Sequence, residues 1–175
     1  MKLRLSLILA SFVSTLVLLF AVWFVYVTWF VERPVENKLA TIKGVGEVHL
    51  ETSREQVRVE LALTEDAELK SVHETALAIL KPIAKKRQLT IQFRDHPSQP
   101  MQEAWQKTQF LVEEALSRHE YRKLPEVAES FKEQLQLDQA IVDINAGYVY
   151  FQFKKGEYRL YKVYPRRAGE EEIHG

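Results

Sequence analysis

The longest feature of the hydrophobic pattern is an uncharged run near the amino terminus, from Leu5 to Val31. It contains about 27 residues, whereas a helix needs roughly 20 to cross the core of a bilayer. Trp23, Tyr26 and Trp29 lie in its C-terminal half, and such aromatic side chains favour the membrane interface. The pattern predicts a single transmembrane helix over residues 5–31.

A cleaved signal peptide is the main alternative, since Lys2 and Arg4 form a short positive segment before the run. The run exceeds the ~7–15 apolar residues of a signal peptide, and no small-x-small cleavage pattern follows it. We therefore predict a retained signal-anchor in the cell membrane. Basic residues nearly balance on the two sides, so the short basic tail decides the orientation. It predicts a single-pass protein with a cytoplasmic N-terminus and an extracytoplasmic C-terminal domain.

After a short predicted helix at Val35–Lys43, the pattern changes to a period of two. Apolar and polar residues alternate in Glu47–Thr52 and in Gln56–Leu63, which predicts two strands joined by a hairpin at 53–55. In the second strand, Val57, Val59 and Leu61 share one face. Such a sheet has one buried face and one solvated face.

Apolar residues then recur at steps of three and four, which predicts a helix over Thr64–Arg87. We expect Thr64 or Asp66 to cap this helix, and Pro82 to kink it or end it early. A strand at Leu89–Arg94 follows. Residues 35–94 thus have the order helix–strand–strand–helix–strand.

Two prolines within residues 96–100 predict a linker before the second half of the chain. Ser98 is expected to cap a helix whose apolar stripe includes Trp105 and Leu111, and a second helix is predicted at Pro125–Leu135. Aromatic and β-branched residues between glycine-containing turns predict three further strands. These are Ala140–Ile144, Tyr148–Phe153 and Tyr158–Tyr164.

The predicted fold class is α+β, with a single N-terminal transmembrane helix, a small αββαβ module and a helix–helix–three-stranded antiparallel meander. The predicted boundaries are 1–4 for a short basic tail, 5–31 for the transmembrane helix, 32–43 for a juxtamembrane linker and short helix, 44–96 for the αββαβ module, 97–165 for the helical hairpin with its β-meander, and 166–175 for a charged flexible tail.

Composition narrows the candidate chemistry. The 24 basic and 24 acidic residues cancel, so no overall field attracts nucleic acid, and no nucleic-acid partner is predicted. Cysteine is absent, which excludes disulfides, thiolate metal sites and cysteine nucleophiles. The five histidines are scattered, and we expect them to be exposed or to cap helices. No H-E-x-x-H, G-x-S-x-G or glycine-rich phosphate loop is present. We therefore predict no catalytic, cofactor-binding or metal-binding residue, and no enzyme activity.

The segment ENKLATIKGVGEVHLE contains an I-x-G-V-x-x-V phrase, formed by Ile42, Gly44, Val45 and Val48. With the αββαβ order, it makes residues 35–94 resemble the ring-building-motif domains of bacterial envelope proteins, such as secretion rings and sporulation channels. The phrase is also similar to ferredoxin-like heavy-metal-binding domains, but their Cys-x-x-Cys pair is missing. The resemblance implies a small α/β module that packs beside copies of itself or a partner.

The strand predicted at Tyr148–Phe153 has two distinct faces. Its odd-numbered residues should face the core, which places Tyr148 and Tyr150 on the opposite face, with Lys154 directly after the strand. Two explanations remain open for this tyrosine pair. It can pack against a helix, or it can form an exposed tyrosine and basic strip for a partner. Tyr148, Tyr150 and Lys154 are therefore the candidate partner-contact residues.

These patterns predict a non-catalytic, membrane-anchored binding and assembly protein of the bacterial cell envelope. Its expected partners are the lipid bilayer, through residues 5–31, and either another protein or a second copy of itself. One alternative is a membrane-anchored extracytoplasmic ligand sensor or enzyme that uses a cleft between two lobes. Another is an accessory subunit whose membrane helix packs against a larger membrane complex.

Overall fold

The structure is a computed structural model that describes residues 2–26 and 33–166. Its helices are α1 Lys2–Tyr26, α2 Arg33–Ala40, α3 Leu69–Ala84, α4 Gln99–Ser117 and α5 Lys123–Leu135. Its strands are β1 Val45–Thr52, β2 Gln56–Leu63, β3 Gln88–Arg94, β4 Gln139–Ile144, β5 Tyr148–Lys155 and β6 Tyr158–Pro165. The mixed helix and sheet content confirms the predicted α+β class.

Helix α1 contains the described part of the long apolar run. Its large apolar side chains between Ile8 and Phe24 are 43–70% exposed, and none belongs to a core cluster of the described residues. Among those residues, no helix combines the length and the apolar character that a bilayer crossing requires. The predicted span over 5–31 includes residues 27–31, which lie outside the described residues. Residues 167–175 of the predicted tail lie outside them as well.

The first lobe consists of α2, α3 and a three-stranded sheet in the order β1–β2–β3. Strand β2 pairs antiparallel with β1 and parallel with β3, so the predicted αββαβ order is confirmed. Val57, Val59 and Leu61 of β2 are completely buried in the cluster that contains the apolar face of α3. Arg58, on the opposite face, is exposed. The period-two pattern therefore assigned both faces of this strand correctly.

Gly44 connects α2 to β1 in a conformation that favours glycine. Its φ is +95°, and an added Cβ would lie 2.9 Å from the Cβ of Ala67. The carbonyl of Gly44 also accepts a hydrogen bond from the N–H of Thr64, at 2.9 Å. The glycine of the I-x-G-V phrase thus lets two loops of the first lobe approach each other closely.

The predicted bounds of α3 are wrong at both ends. The helix begins at Leu69 rather than Thr64, so neither Thr64 nor Asp66 caps it, and it ends at Ala84 rather than Arg87. Lys85, directly after the end, has a φ of +53°, which lies outside the right-handed helical region, so the helix cannot continue through it. Pro82 lies inside the last turn, in agreement with the predicted early end. The late start has a cause in the second lobe, described below.

The second lobe packs α4 and α5 on one face of the antiparallel sheet β4–β5–β6. Phe151 and Phe153 of β5 are buried against Trp105 of α4, with ring centroids 5.6 Å apart in each case. This confirms the predicted core face of β5. Ser98 is the N-cap of α4, as predicted, although its side chain makes no capping hydrogen bond. Leu111, expected in the buried stripe of α4, is 55% exposed and lines an open cavity between α4 and α5, beside Val127 and Phe131.

Candidate functional site

Helix α3 lies between the two lobes and contributes to both cores. Val72, Ala76 and Leu80 pack on the first sheet. Leu69 packs instead against Tyr150 and Tyr161 of the second sheet. The face of β5 and β6 that does not contact α4 and α5 is therefore covered by the first lobe.

Gln152 of β5 connects the lobes by hydrogen bonds and sets the start of α3. Its carboxamide oxygen accepts the N–H of Leu69 at 3.0 Å, and its nitrogen donates to the carbonyl of Ala67 at 2.9 Å. The side chain is buried. It satisfies a main-chain donor that the first turn of a helix leaves without an intrahelical partner. The cap of α3 thus comes from a residue more than 80 positions away.

A second polar cluster surrounds the hydroxyl of Tyr150. His73 Nδ1 lies 3.0 Å from this hydroxyl, and the side-chain amide of Asn145 donates to it at 2.9 Å. Asn145 also donates to Glu74 Oε1 at 2.7 Å. Since the hydroxyl already accepts the Asn145 hydrogen, its own proton is best placed toward His73 Nδ1. This assigns His73 the neutral form with its proton on Nε2.

Burial holds both members of this pair in their neutral forms. Burial lowers the pKa of His73 below its usual 6.5, against the smaller opposing effect of the Glu74 carboxylate. Burial also raises the pKa of Tyr150 to about 12, although the hydrogen bond from Asn145 opposes the rise. Neutral forms match the hydrogen-bond assignment, and the cluster acts as a lobe-to-lobe contact.

The first prediction concerns pH. Unfolded His73 binds a proton near pH 6.5, while folded His73 binds one only at lower pH. The free energy of unfolding should therefore fall as pH drops below 6.5, down to the lowered folded pKa. Tyr150 should make the protein less stable at high pH. Its phenol ionises above pH 10.0 in the unfolded chain but only near pH 12 in the folded protein, so the free energy of unfolding should fall as pH rises from 10.0 to about 12.

Urea unfolding of the full-length protein, followed by circular dichroism on both sides of pH 6.5, measures the acid effect. His73→Gln keeps an acceptor for the Tyr150 hydroxyl but does not titrate, so it should weaken the pH dependence. An unchanged dependence in His73→Gln would show that other groups cause it.

The structure gives the predicted partner-contact residues different environments. Tyr150 is only 1% exposed, so of the two explanations left open for it, packing against a helix holds and the exposed strip does not. Tyr148 is half-buried, with its ring centroid 4.7 Å from that of His73. Lys154 Nζ lies 3.9 Å from Glu65 Oε1. The three side chains therefore form no continuous exposed strip. His73 is buried as well, which corrects the expectation that every histidine is exposed or capping.

A groove of about 530 Å³ lies between β3 of the first sheet and β6 of the second. At one end of the groove, the segments that contain His96 and Arg159 are adjacent. These two residues exchange two main-chain hydrogen bonds of 2.9 and 3.0 Å. Beyond this antiparallel bridge, no other main-chain hydrogen bond joins β3 to β6 within residues 33–166. Two strand edges thus face a shared space.

The charged side chains around the groove are already paired. Arg94 contacts Glu60 at 2.8 Å and Glu47 at 2.7 Å, and Lys162 contacts Asp95 at 3.1 Å. Arg94 and Glu60 are also well exposed to solvent. Within the described part of the chain, no group of three or more metal-ligating side chains is arranged to hold an ion. The groove offers main-chain hydrogen bonding more than side-chain chemistry.

A second exposed feature is the apolar pair Phe110 and Leu111 on α4, which are 69% and 55% exposed. Leu111 was expected in the core, and the apolar stripe predicted for α4 did not include Phe110. The sequence did contain a signal for this surface, because Phe110 is a large apolar residue next to Leu111 and outside the predicted stripe of this amphipathic helix. This pair is a separate candidate surface, on the far side of the second lobe's core from α3.

Comparison with known proteins finds no matching family model, no similar curated protein and no similar solved structure.

Proposed function

We propose that this chain is a bitopic, membrane-anchored binding and assembly protein of the bacterial cell envelope, without catalytic activity. Its N-terminus lies in the cytoplasm, and the two lobes lie outside it. The anchor concentrates the lobes at the membrane surface, where even a weak interface assembles neighbours efficiently. The resemblance of residues 35–94 to ring-building-motif domains supports the same proposal.

The observation that carries the proposal is the exposure of α1. Its large apolar side chains point outward all around the helix, including Phe12, Val17 and Phe20. In water this surface would be costly, at about 25 cal/mol for each Å². The uncharged run continues in the sequence to Val31, beyond the described end of α1. A bilayer through residues 5–31 would solvate all of it.

The lobes support binding rather than catalysis in this proposal. The two groups with opposed pKa shifts, His73 and Tyr150, lie in a buried contact between lobes. Arg94 pairs with Glu60 at 2.8 Å and Lys162 pairs with Asp95 at 3.1 Å, so the charged groups around the groove are already engaged with one another. Free strand edges and the Phe110–Leu111 pair remain available to a protein partner.

The second prediction tests the anchor. The full-length protein should stay in the membrane pellet after washing with carbonate and with high salt. A variant with Leu18→Arg and Phe20→Arg should be lost from the pellet, because each arginine at the centre of a span costs about 2.5–3.5 kcal/mol. Leu18→Ala with Phe20→Ala keeps the segment uncharged and should remain membrane-bound.

Release of the unmodified protein by carbonate would contradict the anchor. So would recovery of a soluble form that begins near residue 32, which is the product expected of a cleaved signal peptide. Equal retention of the arginine and alanine variants would show that residues 5–31 do not insert.

A further inference from the structure

We propose that the groove between β3 and β6 binds one extended segment of a different protein, which adds as a strand to both edges. The proposal rests on the proposed binding function and names its partner class. The bound segment would join the two sheets into one, in the order β1–β2–β3–segment–β6–β5–β4. Main-chain hydrogen bonds would supply most of the recognition, as in other cases of strand addition.

The hydrogen-bond pattern of β6 shows which main-chain groups face the groove. Arg166, just past β6, donates its N–H to Gly147 beside β5, and Arg159 donates its N–H to His96 on the other side. Main-chain groups alternate in direction along a strand. Tyr161 and Val163 therefore point their N–H and C=O groups away from β5, into the groove.

Strand β3 presents a matching edge. Gln88 donates its N–H to Glu55, at the start of β2, so the even-numbered residues of β3 bond toward β2. By the same alternation, Ile91 and Phe93 direct their main-chain groups away from β2 and toward β6. Ile91, Phe93, Tyr161 and Val163 all line the groove. An unpaired edge of this kind is a template for another strand.

The bridge between His96 and Arg159 fixes the direction of pairing. It is antiparallel, so β3 and β6 run in opposite directions. A segment between them must lie parallel to one strand and antiparallel to the other, which a mixed sheet allows. The groove extends along about five residues, the last four of β3 and Asp95 after it, or ~16 Å at the usual strand rise of ~3.3 Å per residue.

The side chains on the two faces of the groove define the chemistry of the segment. Phe93, Tyr161 and Val163 belong to the apolar layer beside α3. Gln92 and Arg94 lie on the opposite, exposed face of the first sheet. The Arg94–Glu60 and Lys162–Asp95 pairs leave the groove without net charge. The fitting segment alternates apolar and uncharged polar residues over about four to six positions.

A second copy of this chain is a poorer source of such a segment. Between residues 33 and 166, the strands of this chain are already paired within their own sheets. Donating one of them would require a sheet to open. The stretch of this chain after residue 166 contains three consecutive glutamates, which do not fit a groove without net charge. A flexible or terminal segment of another protein avoids both costs, so we commit to a different protein as the partner.

The third prediction begins with photo-crosslinking in native membranes. A benzophenone amino acid replaces Gln92, which is exposed beside the groove, or Phe110 as the matched control on the other surface. The full-length chain should form an adduct from position 92, and mass spectrometry should place it on an extended segment of another protein with the alternating pattern. A segment of this same chain in the adduct would overturn the choice of partner.

The two positions separate the two proposals. An adduct from Phe110 alone would overturn the groove and leave the proposed binding function standing. The absence of adducts from both positions would contradict the groove and the binding function together. An adduct from position 92 on a segment without alternating character would also overturn the groove proposal.

The segment identified at position 92 is then made as a synthetic peptide and titrated against the full-length protein in detergent. Val163→Pro removes one groove-facing N–H and no bond to β5, a position where an edge strand tolerates proline. It should weaken binding about tenfold or more, whereas Val163→Thr, which keeps the N–H, should bind within about twofold. Equal binding by the two variants would overturn main-chain pairing.

If Val163→Pro does not fold, amide hydrogen exchange on the unmodified protein decides the matter. The peptide should slow exchange at Ile91, Phe93, Tyr161 and Val163, whose amides face the groove. Unchanged exchange at these four amides in the peptide complex would overturn the proposal.

Discussion

Tyr150→Glu should lower the free energy of unfolding by at least about 4 kcal/mol. Truncating a large buried aromatic side chain costs ~3–5 kcal/mol, and a charge left in the lobe-to-lobe contact adds a desolvation cost. The new carboxylate would also lie near Glu74, which already bonds to Asn145. Since a domain of this size has ~5–15 kcal/mol in total, the variant should be largely unfolded or have separated lobes.

Two controls make the prediction specific, with unfolding followed by circular dichroism in urea. Tyr150→Phe keeps the ring and removes only the hydroxyl, so it should cost about 1–2 kcal/mol. Phe110→Glu makes the same kind of aromatic-to-acid change at a 69% exposed position and should cost less than about 0.5 kcal/mol. Similar losses in Tyr150→Glu and Phe110→Glu would show that Tyr150 does not hold the lobes together.

Periodicity predicted the parts of the fold whose cause is local. Strand β2 has the predicted bounds, Gln56–Leu63, and the predicted buried face, because Val57, Val59 and Leu61 alternate with polar residues without interruption. The core face of β5 was equally clear, since Phe151 and Phe153 alternate with Tyr150 and Gln152, whose side chains carry polar groups. In both strands one sheet face meets a continuous apolar layer of the same lobe.

The errors at the start of α3, at His73 and at Tyr150 have a shared cause in the packing of one lobe on the other. Nothing near Thr64 in the sequence indicates that α3 begins only at Leu69, since the cap is supplied by Gln152. His73 and Tyr150 look like surface residues on amphipathic elements until the second lobe covers the second face of α3. Contacts between residues more than 70 positions apart leave no periodic signal in either segment.

The groove could not be predicted from the sequence for a related reason. Whether a strand has a free edge depends on sheet order: β3 and β6 are the outer strands of two separate three-stranded sheets, and the His96–Arg159 bridge brings these two edges together. The apolar composition of Ile91–Phe93 and Tyr161–Val163 fits a central strand as well as an edge. The only partner surface predicted from the sequence was the one formed by Tyr148, Tyr150 and Lys154.

The second large effect depends on the side of the membrane on which the lobes lie. The labelling of a thiol in the lobes should be all-or-none. The chain has no cysteine, so one introduced cysteine is the only thiol. Arg54 lies exposed in the β1–β2 turn, whereas the neighbouring Ser53 hydroxyl accepts the N–H of Gln56 and holds the turn. Arg54→Cys therefore leaves the fold intact. If the lobes lie outside the cytoplasm as proposed, this thiol is accessible from outside the cell, whereas a thiol placed at Lys2→Cys lies on the cytoplasmic side.

Labelling of these two variants in intact cells with a membrane-impermeant thiol reagent, followed by carbonate extraction, tests the anchor and the topology together. Arg54→Cys should be labelled before lysis and recovered in the membrane pellet, while Lys2→Cys should be labelled only after lysis. Labelling of Arg54→Cys only after lysis, or its recovery in the soluble fraction, would contradict a domain held at the outer face of the membrane.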